Sequence, residues 1–299
     1  MDISVVLNTR DRPERLGLVL RCLARQRELP GGLEVLVVDD GSTRDLSPSL
    51  ESLGALDVRL IRQPPLGYAV ARNVGLGAAA GEVVLWLDDD ILFDPLFVAE
   101  HLAVHVEHEH SVVVGDRYNT YLADLDSPRS RSLVTAALAG DWAGLRRQSR
   151  RDFYARVTLR LFELDSGGQP APWLNFVTRN VSFRRDDAKA VGGFDEGFQQ
   201  WGIDDIELGL RLHQAGVGYH YRPRARVYHL ETPLHPGKYQ ALQESLRYFR
   251  GKHRGLEPGL FEDFVLGRLS IEELCASLRS GHRQELPDRD SLTFFQTQR

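Results

Sequence analysis

Cysteine is almost missing: Cys22 and Cys275 are the only two among 299 residues. Two thiols cannot build a disulfide framework, so an apolar core has to hold the fold, and a reducing compartment is the simpler expectation. No apolar run approaches the roughly 20 residues of a membrane-spanning helix. The first strand begins at Ile3 with no basic segment ahead of it, so no secretory leader is legible. A cytoplasmic protein without a transmembrane segment is expected. Positive charge is not in surplus either: the net charge of −5 gives no reason to expect a nucleic-acid partner. Repeats and low-complexity stretches are also missing. What is left is an ordinary globular composition, 42% hydrophobic and 26% charged, long enough for one large domain or two small ones.

The most informative stretch is 81–95, Gly-Glu-Val-Val-Leu-Trp-Leu-Asp-Asp-Asp-Ile-Leu-Phe-Asp-Pro. A half-exposed strand would alternate, whereas Val83–Leu87 is apolar throughout. That pattern suits a strand buried on both faces, as in a parallel sheet covered by helices. The run stops at Asp88, Asp89 and Asp90. Carboxylates crowded at the end of a central strand repel one another unless they share a cation, and ligands of open α/β sheets bind at that edge. Hard oxygen ligands suit Mg²⁺ or Mn²⁺, which also bind the oxygens of a diphosphate. A solvated acidic turn is the plainer alternative, and the triplet alone does not decide.

Taken in order, Ile3–Leu7 reads as a strand. A helix follows, with Asp11 as N-cap, Glu14 completing a capping-box pair, and Leu16, Val19, Leu20 and Leu23 on its buried face. Leu33–Val38 is a second strand ending in Asp39 and Asp40, and Val58–Ile61 a third. A small-residue helix over 68–80 leads into the central strand. Alternation of strand and helix predicts an α/β fold with a doubly wound, mostly parallel sheet and right-handed crossovers. Pro95–Glu107 reads as a helix and Ser111–Val114 as a strand. Ser127–Leu164 is helical in period with no strand candidate, and its Arg146, Arg147, Arg150 and Arg151 read as a solvated helix face rather than an anion site. Phe176–Arg184 alternates as a strand. The sequon Asn180-Val181-Ser182 inside it is read as chance. Asp204–Ala215 is a helix and Ala225–Leu230 a last short strand. The tail carries helix candidates at Gln240–Phe249 and Ile271–Leu278, and its polar final dozen residues read as disordered.

Three polar clusters therefore fall at predicted strand ends: Thr9 with Asp11, Asp39 with Asp40, and Asp88–Asp90. In a parallel sheet these ends converge on one cleft. The blocks Ser-Val-Val-Leu-Asn-Thr-Arg-Asp-Arg (4–12), Val-Val-Asp-Asp-Gly-Ser-Thr (37–43), Ala-Arg-Asn-Val-Gly (71–75) and Leu-Asp-Asp-Asp (87–90) resemble, in order, the signatures of GT-A fold glycosyltransferases. They are most similar to the large inverting nucleotide-sugar family, family 2. Gly-Gly-Phe-Asp-Glu (192–196) and Trp-Gly-Ile-Asp-Asp-Ile-Glu-Leu (201–208) resemble that family's acceptor block and are also similar to animal galactosyl- and N-acetylgalactosaminyltransferases.

The resemblance implies roles and partners. The donor would be a nucleotide-diphospho sugar, with UDP or dTDP as its nucleotide, and the acceptor a small molecule or glycan. A homodimer is left open. Thr9 and Asp40 would meet the base, with Asp11 and Asp39 beside them and Arg72 near base or diphosphate. Asp88 would face the ribose. Asp90 would bind Mn²⁺ or Mg²⁺ directly, with Asp89 helping through water or sugar hydroxyls and His229 as a further ligand. Asp205 would be the general base of an inverting transfer, Asp204 would orient the acceptor, and Trp201 would stack on a sugar face. The domain expected is 1–235, split into a nucleotide-sugar half (1–115) and an acceptor half (116–235), with 236–299 as a helical extension. Asn8 departs from the usual proline of the first block. The Gln-x-x-Arg-Trp block and membrane helices of processive synthases are missing, which favours transfer of a single sugar. A sugar-phosphate nucleotidyltransferase would need a glycine-rich loop where Asn8-Thr9-Arg10-Asp11 stands. A non-catalytic nucleotide-sugar binder would not need the acidic pairs.

Overall fold

The computed structural model describes residues 1–285 apart from 52, 123, 164–169 and 232–236, and the backbone alone at Lys238 and Leu256. The final dozen residues, read as disordered, and Leu164 lie outside the described residues. Strand and helix alternate from the start: β1 (Ile3–Thr9), α1 (Pro13–Leu23), β2 (Leu33–Asp40), β3 (Asp57–Gln63), α2 (Tyr68–Ala78) and β4 (Val83–Asp88). These strands stand in the order β3-β2-β1-β4, all parallel. Val83–Leu87 is 1% exposed or less throughout, because both faces are covered. Val83, Leu85 and Leu87 share a cluster with Leu16 and Leu20 of α1. Val84 and Trp86 share one with Leu76 of α2. A Cβ on Gly75 would lie 2.4 Å from Val6 Cγ1, so α2 needs glycine there to lie this close to the sheet.

The chain continues with β5 (Ile91–Phe93), α3 (Phe97–Glu107), β6 (Ser111–Thr120), α4 (Pro128–Leu138), α5 (Ala143–Arg147), β7 (Ser149–Arg151), α6 (Phe153–Glu163), β8 (Asn180–Arg184), α7 (Arg185–Ala190), α8 (Asp204–Gln214) and β9 (Gly218–Leu230). The sheet order runs on from β4 as β8-β6-β9-β5, with β7 on the side of β6. Here β8 runs antiparallel to β4 and β6, β5 to β9 and β7 to β6, while β6 and β9 are parallel. Last come α9 (Lys238–Lys252), α10 (Leu256–Val265) and α11 (Ile271–Ser280). Leu246, Phe261 and Leu274 of these three helices share a buried cluster with Leu161 of α6 and Ile206 of α8.

Several local expectations fail for physical reasons. Asp11 does not cap α1: Arg12 holds the N-cap position without a side-chain bond, and Asp11 has φ 56° with its carboxylate turned away. Glu14 pairs with Arg44 instead of closing a capping box. Phe176 follows a 3₁₀ turn, Pro172–Asn175, and β8 begins only at Asn180. Its ring fills the core beside Phe183, and this burial produced the false alternation. The stretch 127–164 does contain a strand, β7. Its Arg151 lies on that strand rather than a solvated helix and reaches the buried Asp116 with two nitrogens, at 3.2 and 3.1 Å. β9 starts at Gly218, well before the expected Ala225, because its half-exposed first part, Gly218–Arg222, carries no continuous apolar signal. Asn180 and Ser182 of the sequon are both buried and hydrogen-bonded to His101, so the folded chain offers no glycan acceptor there.

Candidate active site

The carboxyl ends of β1, β2 and β4 lie side by side, with Asn8 in register with both Val38 and Asp88 and Thr9 with Asp39. Thr9 Oγ1 donates to Asp89 Oδ2 at 2.6 Å. Arg12 Nη1 bridges Asp89 Oδ1 at 3.3 Å and Asp90 Oδ2 at 2.9 Å. Arg15 Nη1 lies 3.7 Å from the same Asp90 oxygen and donates to the Leu230 carbonyl at 2.6 Å. Across the β5–β9 ladder, where Ile91 pairs with His229, His229 Nε2 comes 3.1 Å from Asp90 Oδ1. That approach lies outside hydrogen-bond geometry, so among the described residues this buried oxygen accepts no hydrogen bond. Burial and then the charge of Asp90 push the Asp89 carboxyl up. Burial also works against Asp90, but His229 and then Arg12 more than offset it and hold its carboxyl down.

Asp88 has a different partner. Arg179, just before β8, places Nε 3.3 Å from Asp88 Oδ2 and Nη1 3.2 Å from Asp152 Oδ2. Arg117 of β6, fully buried, points Nε at the same Asp152 oxygen from 3.8 Å and donates from Nη2 to Thr158 at 3.1 Å. Burial opposes the charge on Arg179, yet Asp88, Asp152, Asp90 and Glu231 outweigh it and raise its pKa.

Asp39 and Asp40 shape the loops rather than the cation cluster. Asp39 Oδ1 accepts from the Ser42 amide at 2.8 Å, in a turn that needs Gly41 at φ 79°. Asp40 accepts from Gln63 Nε2 at 2.8 Å and from the amides of Leu66 at 2.9 Å and Gly67 at 3.1 Å, at the entrance to α2. Its carboxylate is half-buried. Asp11 Oδ1 accepts from the amides of Thr43 and Arg44 at 2.7 and 2.9 Å, clamping the loops after β1 and β2 together.

Asp204 and Asp205 open α8. Their N-cap is Ile203, a β-branched residue at φ 75°, and no side chain caps the helix. A backbone held in that region costs about 1–3 kcal/mol and persists only where the surroundings fix it. Arg72 of α2, expected near base or diphosphate, is bound here: it donates to Asp204 through Nη1 and to Thr178 Oγ1 through Nη2 at 2.7 Å. Its guanidinium also lies 5.4 Å from the centre of the Phe194 ring. Asp204 is buried, whereas Asp205 is half-buried. Asp205 Oδ2 accepts from the Thr178 amide at 3.2 Å and Oδ1 from the Ile206 amide at 2.9 Å. Burial and then the neighbouring Asp204 raise the Asp205 carboxyl to about 6. Trp201 is 39% exposed, which removes the core alternative for its ring. The loop that carries it is braced from α9: Ser245 donates to the Trp201 carbonyl at 3.3 Å, Tyr248 to Asp195 at 3.2 Å, and Lys252 bridges Asp195 at 2.6 Å and Glu207 at 2.8 Å.

The two acidic groups are thus joined through neighbours in the chain, Thr178 on Asp205 and Arg179 on Asp88. Sequence reading gave no role to Thr178, Arg179, Arg12, Arg117 or Asp152. Arg12 lay inside a signature block and could have been found; Asp152 and Arg117 lay in stretches read only as helix or loop. Asp88, Asp90 and His229 each bring one ligand atom within 4.8 Å of the others. Two carboxylates and an imidazole suit Mn²⁺ or Mg²⁺, and the buried Asp90 Oδ1 without a hydrogen bond fits such a ligand. Asp89, expected to assist the cation, is instead turned back to Thr9 and Arg12.

Solved structures place the fold. A mannosyltransferase from Pyrobaculum calidifontis, in complex with GDP-Man and Mn²⁺, superposes with a TM-score of 0.60 at 18% identity, covering 93% of this chain and 73% of that one. S. aureus TarS in complex with UDP-GlcNAc gives 0.57 at 15% identity, covering 92% and 72%. The fold is that of the GT-A glycosyltransferases. Residues 4–164 match the model of glycosyl transferase family 2, and residues 161–235 match that of the N-terminal domain of galactosyltransferase. The chain belongs to glycosyl transferase family 2. A validoxylamine A glucosyltransferase of Streptomyces hygroscopicus subsp. limoneus is 35% identical over 298 residues, covering 93% of this chain. The chain spans 64% of that relative's length. Among the described residues no helix is long and apolar enough to cross a membrane.

Proposed function

We propose that the chain moves one sugar from a UDP- or dTDP-sugar to an acceptor hydroxyl, with inversion and with Mn²⁺ or Mg²⁺. Asp88, Asp90 and His229 would hold the cation, whose chemistry is to neutralise the departing diphosphate. Thr9 and Asp40 face the nucleotide from the ends of β1 and β2. Asp89 keeps Thr9 and Arg12 in place, and Asp11 and Asp39 fix the loops around them. Asp205 takes the acceptor proton: it is the more accessible of the pair, and its carboxyl at about 6 suits a base working near neutral pH. Asp204, held by Arg72, orients the acceptor, and Trp201 offers its exposed ring to a sugar face. Residues 1–235 form the transferase domain in this reading, and the helices after it brace the acceptor loop.

The observation that supports the reading is that two consecutive residues bond the two acidic groups, Thr178 to Asp205 and Arg179 to Asp88. The validoxylamine A relative makes glucose the first donor sugar to try and validoxylamine A, with other small hydroxyl-bearing molecules, the first acceptors. The test is incubation with UDP-, dTDP- and GDP-glucose, with Mn²⁺ or EDTA, and a panel of such acceptors. A new β-glycosidic linkage from an α-linked donor, seen by NMR and lost in EDTA, is expected. Transfer that survives EDTA would remove the cation from the proposal. Formation of a nucleotide sugar from sugar phosphate and nucleoside triphosphate would replace transferase by nucleotidyltransferase.

A further inference from the structure

We infer that Arg179 couples cation binding to diphosphate binding: it competes with the divalent cation for Asp88 and, once displaced, turns to the diphosphate. The inference rests on the proposed donor site and adds a residue to it. Arg179 spans two carboxylates, Asp88 at 3.3 Å and Asp152 at 3.2 Å. Asp152 is already shared, because Arg117 faces it from 3.8 Å and has no other carboxylate within ion-pair distance among the described residues. Arg117 is wholly buried, and its Nε and Nη1 have no hydrogen-bond partner among the described residues. Two guanidinium groups therefore depend on Asp152 and Asp88 together for balance.

Asp88 is also one of the three groups able to grip a cation. A cation that takes Asp88 leaves Asp152 as the one carboxylate within ion-pair distance of Arg117 and Arg179 among the described residues, two guanidinium groups on one carboxylate beside an ion of the same sign. That repulsion weakens the cation when it binds by itself. A diphosphate removes it, since the freed guanidinium matches phosphate oxygens with its forked donors. By linkage, the factor by which Arg179 makes diphosphate tighten the cation equals the factor by which it makes the cation tighten diphosphate. The rival role, in which Arg179 stays on Asp88 and merely aims it at the cation, has the opposite sign for the cation alone.

The experiment is isothermal titration calorimetry on the full chain: Mn²⁺ alone, then UDP in saturating Mn²⁺. Arg179→Met and Arg179→Gln are expected to bind Mn²⁺ on the order of tenfold more tightly and UDP on the order of tenfold more weakly, within the usual range of coupling between sites. Arg179→Lys, which keeps the charge but not the fork, is expected to bind Mn²⁺ like the parent and to recover UDP binding only in part. Gln retains a hydrogen-bond donor, so it carries the test if the Met variant loses its near-ultraviolet circular dichroism. Neutral variants with unchanged or weaker Mn²⁺ binding, or with unchanged UDP binding, overturn the coupling while leaving the donor site intact. Failure of the parent protein to bind UDP with Mn²⁺ overturns the donor site and this inference with it.

Discussion

The chain carries two crowded carboxylate groups, and they are handled in opposite ways. Asp88–Asp90 is surrounded by Arg12, Arg15, Arg179 and, when protonated, His229, so positive charge reaches it from α1 and its cap, the edge of β8 and β9. Among the described residues Asp204–Asp205 has a single guanidinium, Arg72, which is spent on Asp204. Asp205 is left with amide and hydroxyl donors and a raised pKa. The contrast teaches what each group can do. One is built to share positive charge, the other to keep one carboxylate basic.

The largest expected effect sharpens that contrast from the cation side. Asp90→Asn should lower transfer by more than about 10³-fold and abolish Mn²⁺ binding by calorimetry, since removing a ligand undoes the site. Asp205→Asn should lower transfer by roughly 10²–10⁴-fold, the usual worth of a general base, with Mn²⁺ and UDP binding unchanged. Should both variants lose metal binding alike, the division between the groups would be wrong. The pH dependence follows from the sign of the shift. A base must be ionised to work, so log kcat/KM should fall with unit slope as pH drops below about 6 and level off above it. Arg72→Met removes the positive charge that opposes this rise, so the midpoint should move upward and activity at neutral pH fall by about tenfold. A midpoint that stays put would break the link between Arg72 and Asp205.

The smallest effect lies outside the cleft. His101 and His105 are buried between α3 and β8 with their carboxyl-free partners Ser182, Asn180 and Ser111. Burial lowers His101 to about 4 and His105 to about 3. The unfolded chain takes up protons below about 6.5, where the native chain does not, so stability is full above that pH and lost as pH falls toward 4. The melting temperature should therefore drop steadily across that interval, and His101→Gln with His105→Gln should flatten the slope.

The parallel half of the fold was legible because its strands are buried on both faces and end in polar residues, as Val83–Asp88 does. The mixed half was not. β7 and the start of β9 are short or half-exposed, and their partners are fixed by distant contacts such as Arg151 on Asp116. The same holds within the site. Thr9, Asp40, Asp90 and Asp205 sit at strand or helix ends that local pattern reveals. Arg179 and Asp152 meet only because β8 inserts antiparallel between β4 and β6, a pairing that no local period encodes. Asp11 misled for a related reason: it has the chemistry of a cap, but its φ of 56° turns it to a neighbouring loop.

The brace from α9 has a consequence for redesign. Ser245, Tyr248 and Lys252 grip the segment around Trp201 from more than 40 positions further along the chain. Swapping that segment alone for one without Asp195 would take the shared partner from Tyr248 and Lys252. A chimaera meant to change the acceptor has to carry its own companion helix, so the two must be exchanged as a pair.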